Sequence, residues 1–152
     1  FDELLEIVHD LKKKKRKLAW TNGCFDLPHE GHSRHLRASK RFGDYLLVGV
    51  NSDSSARQIK GPKRPVMGEN ARAEVISSFG CVDYVIIFPE LNVTKYLSAF
   101  QPDFYVKGGE YNQETINQKE REIINSYEGR IVFTGDKINS TTDVINKIKY
   151  EK

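Results

Sequence analysis

Two histidines three residues apart, His29 and His32, close a stretch that reads Thr21-Asn22-Gly23-Cys24-Phe25-Asp26-Leu27-Pro28-His29-Glu30-Gly31-His32. At the start of a helix this spacing turns both imidazoles to one side, where backbone N–H groups and the helix dipole already favour a phosphate. Gly31 leaves room for it. The stretch carries neither a Gly-x-Gly-x-x-Gly fingerprint nor Gly-Lys-Ser/Thr, which disfavours a dinucleotide oxidoreductase and a P-loop NTPase. Three further groups suit anions or a flat base. Lys60, Lys63 and Arg64 crowd a polar stretch, and Lys107-Gly108-Gly109-Glu110 follows an apolar run, where glycines allow close backbone approach. Ser140-Thr141-Thr142 offers hydroxyls and fresh N–H groups ahead of an apolar-periodic segment. Each has a plainer reading as a surface cap, a solvated loop, a turn or an N-cap. Trp20 reads as core, and Asp26 as a residue that orients a loop or a metal-bound water, with the loop the favoured reading.

The elements that must position these residues alternate along the chain. Leu4, Leu5, Val8 and Leu11 recur at helical spacing, so residues 1–17 read as an amphipathic N-terminal helix with its cations at the negative end. Short apolar runs predict strands over 17–22, 45–50, 84–88, 104–106 and 130–133. Between them, helices are predicted over 30–42, 70–79, 93–100, 113–127 and 142–149. The stretch 53–68, with Gly61, Pro62 and Pro65, reads as a mobile loop. This alternation implies an α/β fold, a parallel sheet with helices on both faces, whose ligands bind beyond the carboxyl ends of the strands. No linker or repeat divides the chain, so 1–152 reads as a single domain.

With these blocks in order, the sequence resembles the cytidylyltransferase-like nucleotidyltransferase superfamily, whose members carry His-x-Gly-His in the first loop of a small Rossmann-like domain. Gly61-Pro62-Lys63-Arg64-Pro65-Val66, Arg72, Val106-Lys107-Gly108-Gly109-Glu110-Tyr111 and Ser140-Thr141-Thr142 look like blocks of the heptose 1-phosphate adenylyltransferases, the ADP-heptose synthase family. Two departures stand out: Pro28 where a leucine is usual, and Glu110 where aspartate is usual. The resemblance implies transfer of AMP from ATP to a sugar 1-phosphate, releasing pyrophosphate and forming an ADP-sugar. It makes His29, His32 and Lys60 the expected catalytic residues, with the 60–64 stretch a lid over the phosphates. Asn22, Gly23, Cys24, Phe25 and Gly31 would line the nucleotide, as would Lys107, Gly108, Gly109 and Glu110. Arg72 would contact phosphate, and Ser140, Thr141 and Thr142 the β and γ phosphates. A homodimer is implied as well.

The residues support that reaction on physical grounds. A sugar phosphate is already an anionic nucleophile, so its attack on the α-phosphorus of a nucleoside triphosphate needs no Ser, Cys or carboxylate base. His29 and His32 would donate hydrogen bonds to oxygens that gain charge, each contributing about 2–4 kcal/mol. No carboxylate cage is visible, so Mg²⁺ is expected to be held by phosphates and water rather than by protein ligands. Among rival readings, a CTP-dependent glycerol 3-phosphate cytidylyltransferase keeps the same chemistry, whereas a noncatalytic nucleotide binder would not need both histidines.

Composition narrows the field. The chain has 152 residues, 38% hydrophobic and 30% charged, enough for one core without staples. Six consecutive cations at 12–17 account for its net +3; outside them anions outnumber cations, so a nucleic-acid surface is not expected. No stretch approaches the roughly 20 apolar residues that span a bilayer, so a cytoplasmic protein without a membrane partner is expected. Cys24 and Cys81 make neither a disulfide framework nor a metal site.

Overall fold

The computed structural model describes residues 1–135 and 140–150, so the single-domain reading of 1–152 extends past the described residues at 136–139 and 151–152. Five parallel strands form one sheet in the order β3-β2-β1-β4-β5: β1 (Leu18–Gly23), β2 (Tyr45–Asn51), β3 (Tyr84–Phe88), β4 (Phe104–Lys107) and β5 (Arg130–Phe133). The helices are α1 (Asp2–Lys13), α2 (Glu30–Lys40), α3 (Asp53–Lys60), α4 (Glu69–Ser77), α5 (Thr94–Phe100), α6 (Gln118–Ser126) and α7 (Thr141–Tyr150). This is the expected Rossmann-like α/β fold. No described helix is long and apolar enough to cross a membrane.

Strand alternation sorts the core into two layers. Leu18, Trp20, Tyr45, Leu47 and Tyr105 face α1, α5 and α6, where they meet Val8, Tyr96, Phe100 and Ile124. Ala19, Leu46, Val48, Val50 and Val106 face α2 and α4 through Leu36 and Ile76. Every residue of β2 is buried, as the near-continuous apolar run of a doubly covered parallel strand requires.

Three predicted boundaries move, each for a local reason. Half of 53–68 is not a loop: α3 occupies its first half, with Ser52 Oγ accepting from Ser55 N at 3.2 Å and Arg57 and Lys60 at the negative end of the dipole. Gly61, Pro62 and Pro65 all lie after it, so only 61–68 escapes regular structure. The last predicted helix before β5 starts at Gln118 rather than 113, because Asn117 Oδ1 caps it by accepting from the N–H groups of Lys119 and Glu120. The first helix ends at Lys13 with Lys12 and Lys13 in its last turn, and of the basic run Lys12 and Lys17 reach neighbouring segments while Lys14 pairs back along its own helix. Lys12 Nζ donates to Gln101 O at 2.5 Å, Lys14 pairs with Asp10 at 2.7 Å and Lys17 with Asp103 at 3.0 Å.

Gly49 in β2 marks the tightest point of the sheet. A Cβ there would stand 2.8 Å from Trp20 Cζ2 and 3.0 Å from Phe88 Cε1, both on buried rings with no room to yield. Gly49→Ala should therefore lower stability by about 1–3 kcal/mol in urea denaturation. Unchanged stability would show that the Trp20 and Phe88 rings can shift at little cost.

Candidate active site

Strand order reverses at β1, whose neighbours β2 and β4 carry the chain in opposite directions, and a cleft of about 850 Å³ opens at the carboxyl ends of these strands. The residues expected at the catalytic and nucleotide sites line this cleft except Arg72, and of the basic lid residues Lys60 and Arg64 line it while Lys63 does not.

The loop from β1 to α2 is held in a form that chain sterics disfavour. Phe25 and Leu27 both have left-handed backbones, with φ of 48° and 47°. Between them Asp26 is 2% exposed, and its carboxylate accepts from Arg64 Nε at 2.8 Å, Val66 N at 2.9 Å and Met67 N at 3.0 Å. Burial alone would raise the Asp26 carboxyl, but these N–H groups and the guanidinium outweigh it and hold it below its ordinary value. The Asp26 carbonyl in turn accepts from the Thr141 hydroxyl at the start of α7. The expected loop-orienting role of Asp26 is thus realised, and it reaches three segments.

His29 is the N-cap of α2, and the two histidines form a reciprocal cap. His29 Nδ1 accepts from Gly31 N at 3.1 Å, and His32 Nδ1 accepts from His29 N at 3.3 Å. Accepting an N–H requires an unprotonated Nδ1, so each ring carries its proton on Nε2. The rings stack with centroids 3.9 Å apart, and Phe25 meets His32 edge-on at 5.3 Å. Burial, the nearby histidines His29 and His35, and Lys60 push the His32 pKa down to about 4. His32 is therefore a neutral donor at physiological pH.

The sequence reading stopped one turn short, at His32. His35 continues the three-residue spacing and lies between β1 and β5. Thr21 Oγ1 donates to Val106 O at 2.9 Å and so accepts from His35 Nε2 at 2.8 Å, while Thr134 Oγ1 stands 2.7 Å from His35 Nδ1. Burial pushes His35 down to about 4 as well. A third histidine on the same helix face was the available signal.

Arg72 is corrected from a phosphate contact to a buried clamp. It is 0% exposed; Nη1 donates to Cys24 O at 2.6 Å and Asn51 O at 2.7 Å, Nε to Met67 O at 2.8 Å, and Nη2 pairs with Asp53 at 2.8 Å. With these donors engaged inside the fold, the guanidinium supports the loop from behind. The hydroxyls of Ser140 and Thr141 are also engaged: Ser140 Oγ donates to Asp143 Oδ2 at 2.6 Å, and Thr141 bonds Asp26. An anion at this corner would meet Thr142 and the first-turn N–H groups of α7.

Across the cleft, Gly108 lets the Glu110 carboxylate fold back over the chain, since a Cβ there would stand 2.9 Å from Glu110 Oε2. Burial lowers the Lys107 ammonium below its ordinary value against the pull of Glu120 and Glu110, and Lys107 sits 4.0 Å from the centroid of the Tyr111 ring. Beside it, the Tyr105 hydroxyl donates its one proton to Glu120 Oε2 at 3.0 Å, with Asn22 Oδ1 3.2 Å from the same oxygen. Glu120 was not foreseen, because a buried glutamate on an amphipathic helix reads like an exposed one. Among the described residues no group of three His, Cys, Asp or Glu side chains could hold a metal ion.

Comparison with known proteins agrees with this geometry. Bifunctional protein HldE of Geotalea uraniireducens is 43% identical over 97% of this chain, and that of Helicobacter pylori strain J99 is 41% identical over 96%. In both cases the chain spans 30% of the relative's length. The crystal structure of the lipopolysaccharide core biosynthesis protein from Thermoplasma volcanium GSS1 superposes with a TM-score of 0.69 at 31% identity, covering 82% of this chain and 99% of that one. The cytidylyltransferase-like family matches residues 20–147, which contain the sheet from Trp20 onward and the histidine pair, and the chain belongs to that family.

Proposed function

We propose that the domain transfers AMP from ATP to a sugar 1-phosphate, a heptose 1-phosphate in the first place, forming an ADP-sugar and pyrophosphate. The observation that carries this reading is the reciprocal cap of His29 and His32, which sets two Nε2–H donors at the N-terminus of α2. A sugar-phosphate oxygen attacks the α-phosphorus of ATP, a new P–O bond forms, and the bond to the β-phosphate oxygen breaks as pyrophosphate leaves. The histidines donate to the oxygens that gain charge, while Lys60 at the end of α3 adds a cation to the same cleft. Remaining neutral suits this role, because a fixed donor needs no proton transfer and so no matched pKa. Mg²⁺ would come in with the triphosphate and offset phosphate charge there. In this reading the backbone at Gly108 and Gly109, which line the cleft, reads the edge of the base.

Pyrophosphate release should be assayed with ATP and CTP against heptose 1-phosphate and glycerol 3-phosphate. ATP with heptose 1-phosphate should be preferred over CTP by at least about tenfold in kcat/KM, and His29→Ala or His32→Ala should lower turnover by about a hundredfold or more. A preference for CTP with glycerol 3-phosphate would contradict the substrate assignment, and a histidine variant of near-normal turnover would remove that residue from the mechanism.

The ring protonation states are open to direct measurement. His32 and His35 should keep the nitrogen-15 signature of a neutral ring from about pH 8 down to about pH 5, where an ordinary histidine of pKa near 6.5 is mostly charged. Because their folded pKa values lie below the unfolded value, the unfolded chain takes up protons first. Stability should therefore fall as pH drops from about 6.5 to about 4, with no contribution from these groups above that window. Titration of either ring near pH 6.5 would contradict the buried-donor picture.

A further inference from the structure

The cleft straddles the carboxyl edge of the sheet, and its two walls differ in chemistry. On the α2 side lie the histidines and a helix N-terminus, which attract phosphate. On the α5 and α6 side the wall is lined by Asn22, Lys107 and Glu120, backed by the buried Tyr105, with Asn92 and Asn117 nearby. Glu120 is 6% exposed; its Oε1 accepts from Val93 N at 3.2 Å and its Oε2 from Tyr105 Oη at 3.0 Å. Among the described residues no Lys or Arg pairs with it, and Lys107 Nζ donates to Tyr105 Oη at 3.3 Å instead. A carboxylate offers about four acceptor positions, so two remain beside the cleft, and a buried anion leaves them unfilled only at a cost.

We propose that Glu120 reads the hydroxyl groups of the acceptor sugar and so selects a polyhydroxylated sugar phosphate over a smaller acceptor. This rests on the adenylyl transfer proposed above and adds the residue that discriminates between acceptors. A carboxylate repels a phosphate, so the triphosphate lies along the opposite wall. It also suits adenine poorly, since the amino group of that ring is flanked by acceptor nitrogens that would face the anion. Sugar hydroxyls rotate freely and donate without that conflict. Val93, after β3, and Tyr105, in β4, hold the carboxylate by donating to it.

The test compares wild-type protein and Glu120→Gln in pyrophosphate release, varying ATP and heptose 1-phosphate separately. The variant should raise KM for the sugar phosphate by about tenfold or more while changing KM for ATP less than about twofold, because one hydrogen-bonded charge has been lost from one substrate's seat. Mono-deoxy heptose 1-phosphates supply a second arm that needs no variant. At least one should lose about tenfold in kcat/KM with the wild type, and it should lose no further in Glu120→Gln. An unchanged acceptor KM in an active variant, or a rise confined to ATP, overturns the proposal. Should the variant fail to fold, a deoxy series that the wild type uses within twofold of the parent sugar overturns it equally. A wild type that releases no pyrophosphate from ATP and heptose 1-phosphate overturns the proposed reaction, and this proposal with it, whereas the other failures leave the reaction standing.

Discussion

The arrangement of the cleft depends on one buried carboxylate. Asp26 binds the 64–67 segment through three hydrogen bonds to its side chain and α7 through its carbonyl, so the first loop, the segment after α3 and the start of α7 share a single fixed point. The same bonds hold the left-handed backbones at Phe25 and Leu27, conformations that cost on the order of 1–3 kcal/mol each when the surroundings do not enforce them. Arg72 closes the support from behind by bonding the carbonyls of Cys24, Asn51 and Met67. Charged groups are used where they are buried and fully engaged, which is the condition under which a buried ion pair is tolerated at all.

In the proposed reaction a helix cap doubles as catalytic equipment. An N-cap side chain ordinarily satisfies an orphan N–H and does nothing more. Here the capping atoms are the Nδ1 nitrogens of two imidazoles, so satisfying the helix fixes the tautomer and leaves Nε2–H as the remaining donor on each ring. Burial then keeps His32 neutral. A donor prepared in this way requires little reorganisation when charge develops on the phosphoryl oxygens. The proposed chemistry needs nothing else from a side chain, since the attacking group arrives already ionised.

Much of the fold was legible in the sequence, because doubly covered parallel strands leave continuous apolar runs such as 45–50 and 84–88. The miss at α3 came from letting Gly61, Pro62 and Pro65 speak for residues upstream of them; Ser52 and Asp53 carried the start signal of a helix. At the site, the His29 and His32 spacing was informative because a helix N-terminus converts sequence distance into a shared direction. Arg72 was misread for a different reason: a cation that clamps carbonyls and one that binds phosphate are the same letter, and only tertiary packing separates them. Glu120 left no trace, since its role arises from the approach of Val93 and Tyr105.

The central claim is that AMP passes to the acceptor in a single displacement, with the protein supplying position and hydrogen bonds but no covalent intermediate. The most direct test is the stereochemical course at phosphorus, using ATP made chiral by isotope or sulfur at its α-phosphate and reading the configuration of the ADP-sugar. One in-line displacement requires inversion. Retention would mean two displacements and a nucleotidylated side chain, and would contradict the account.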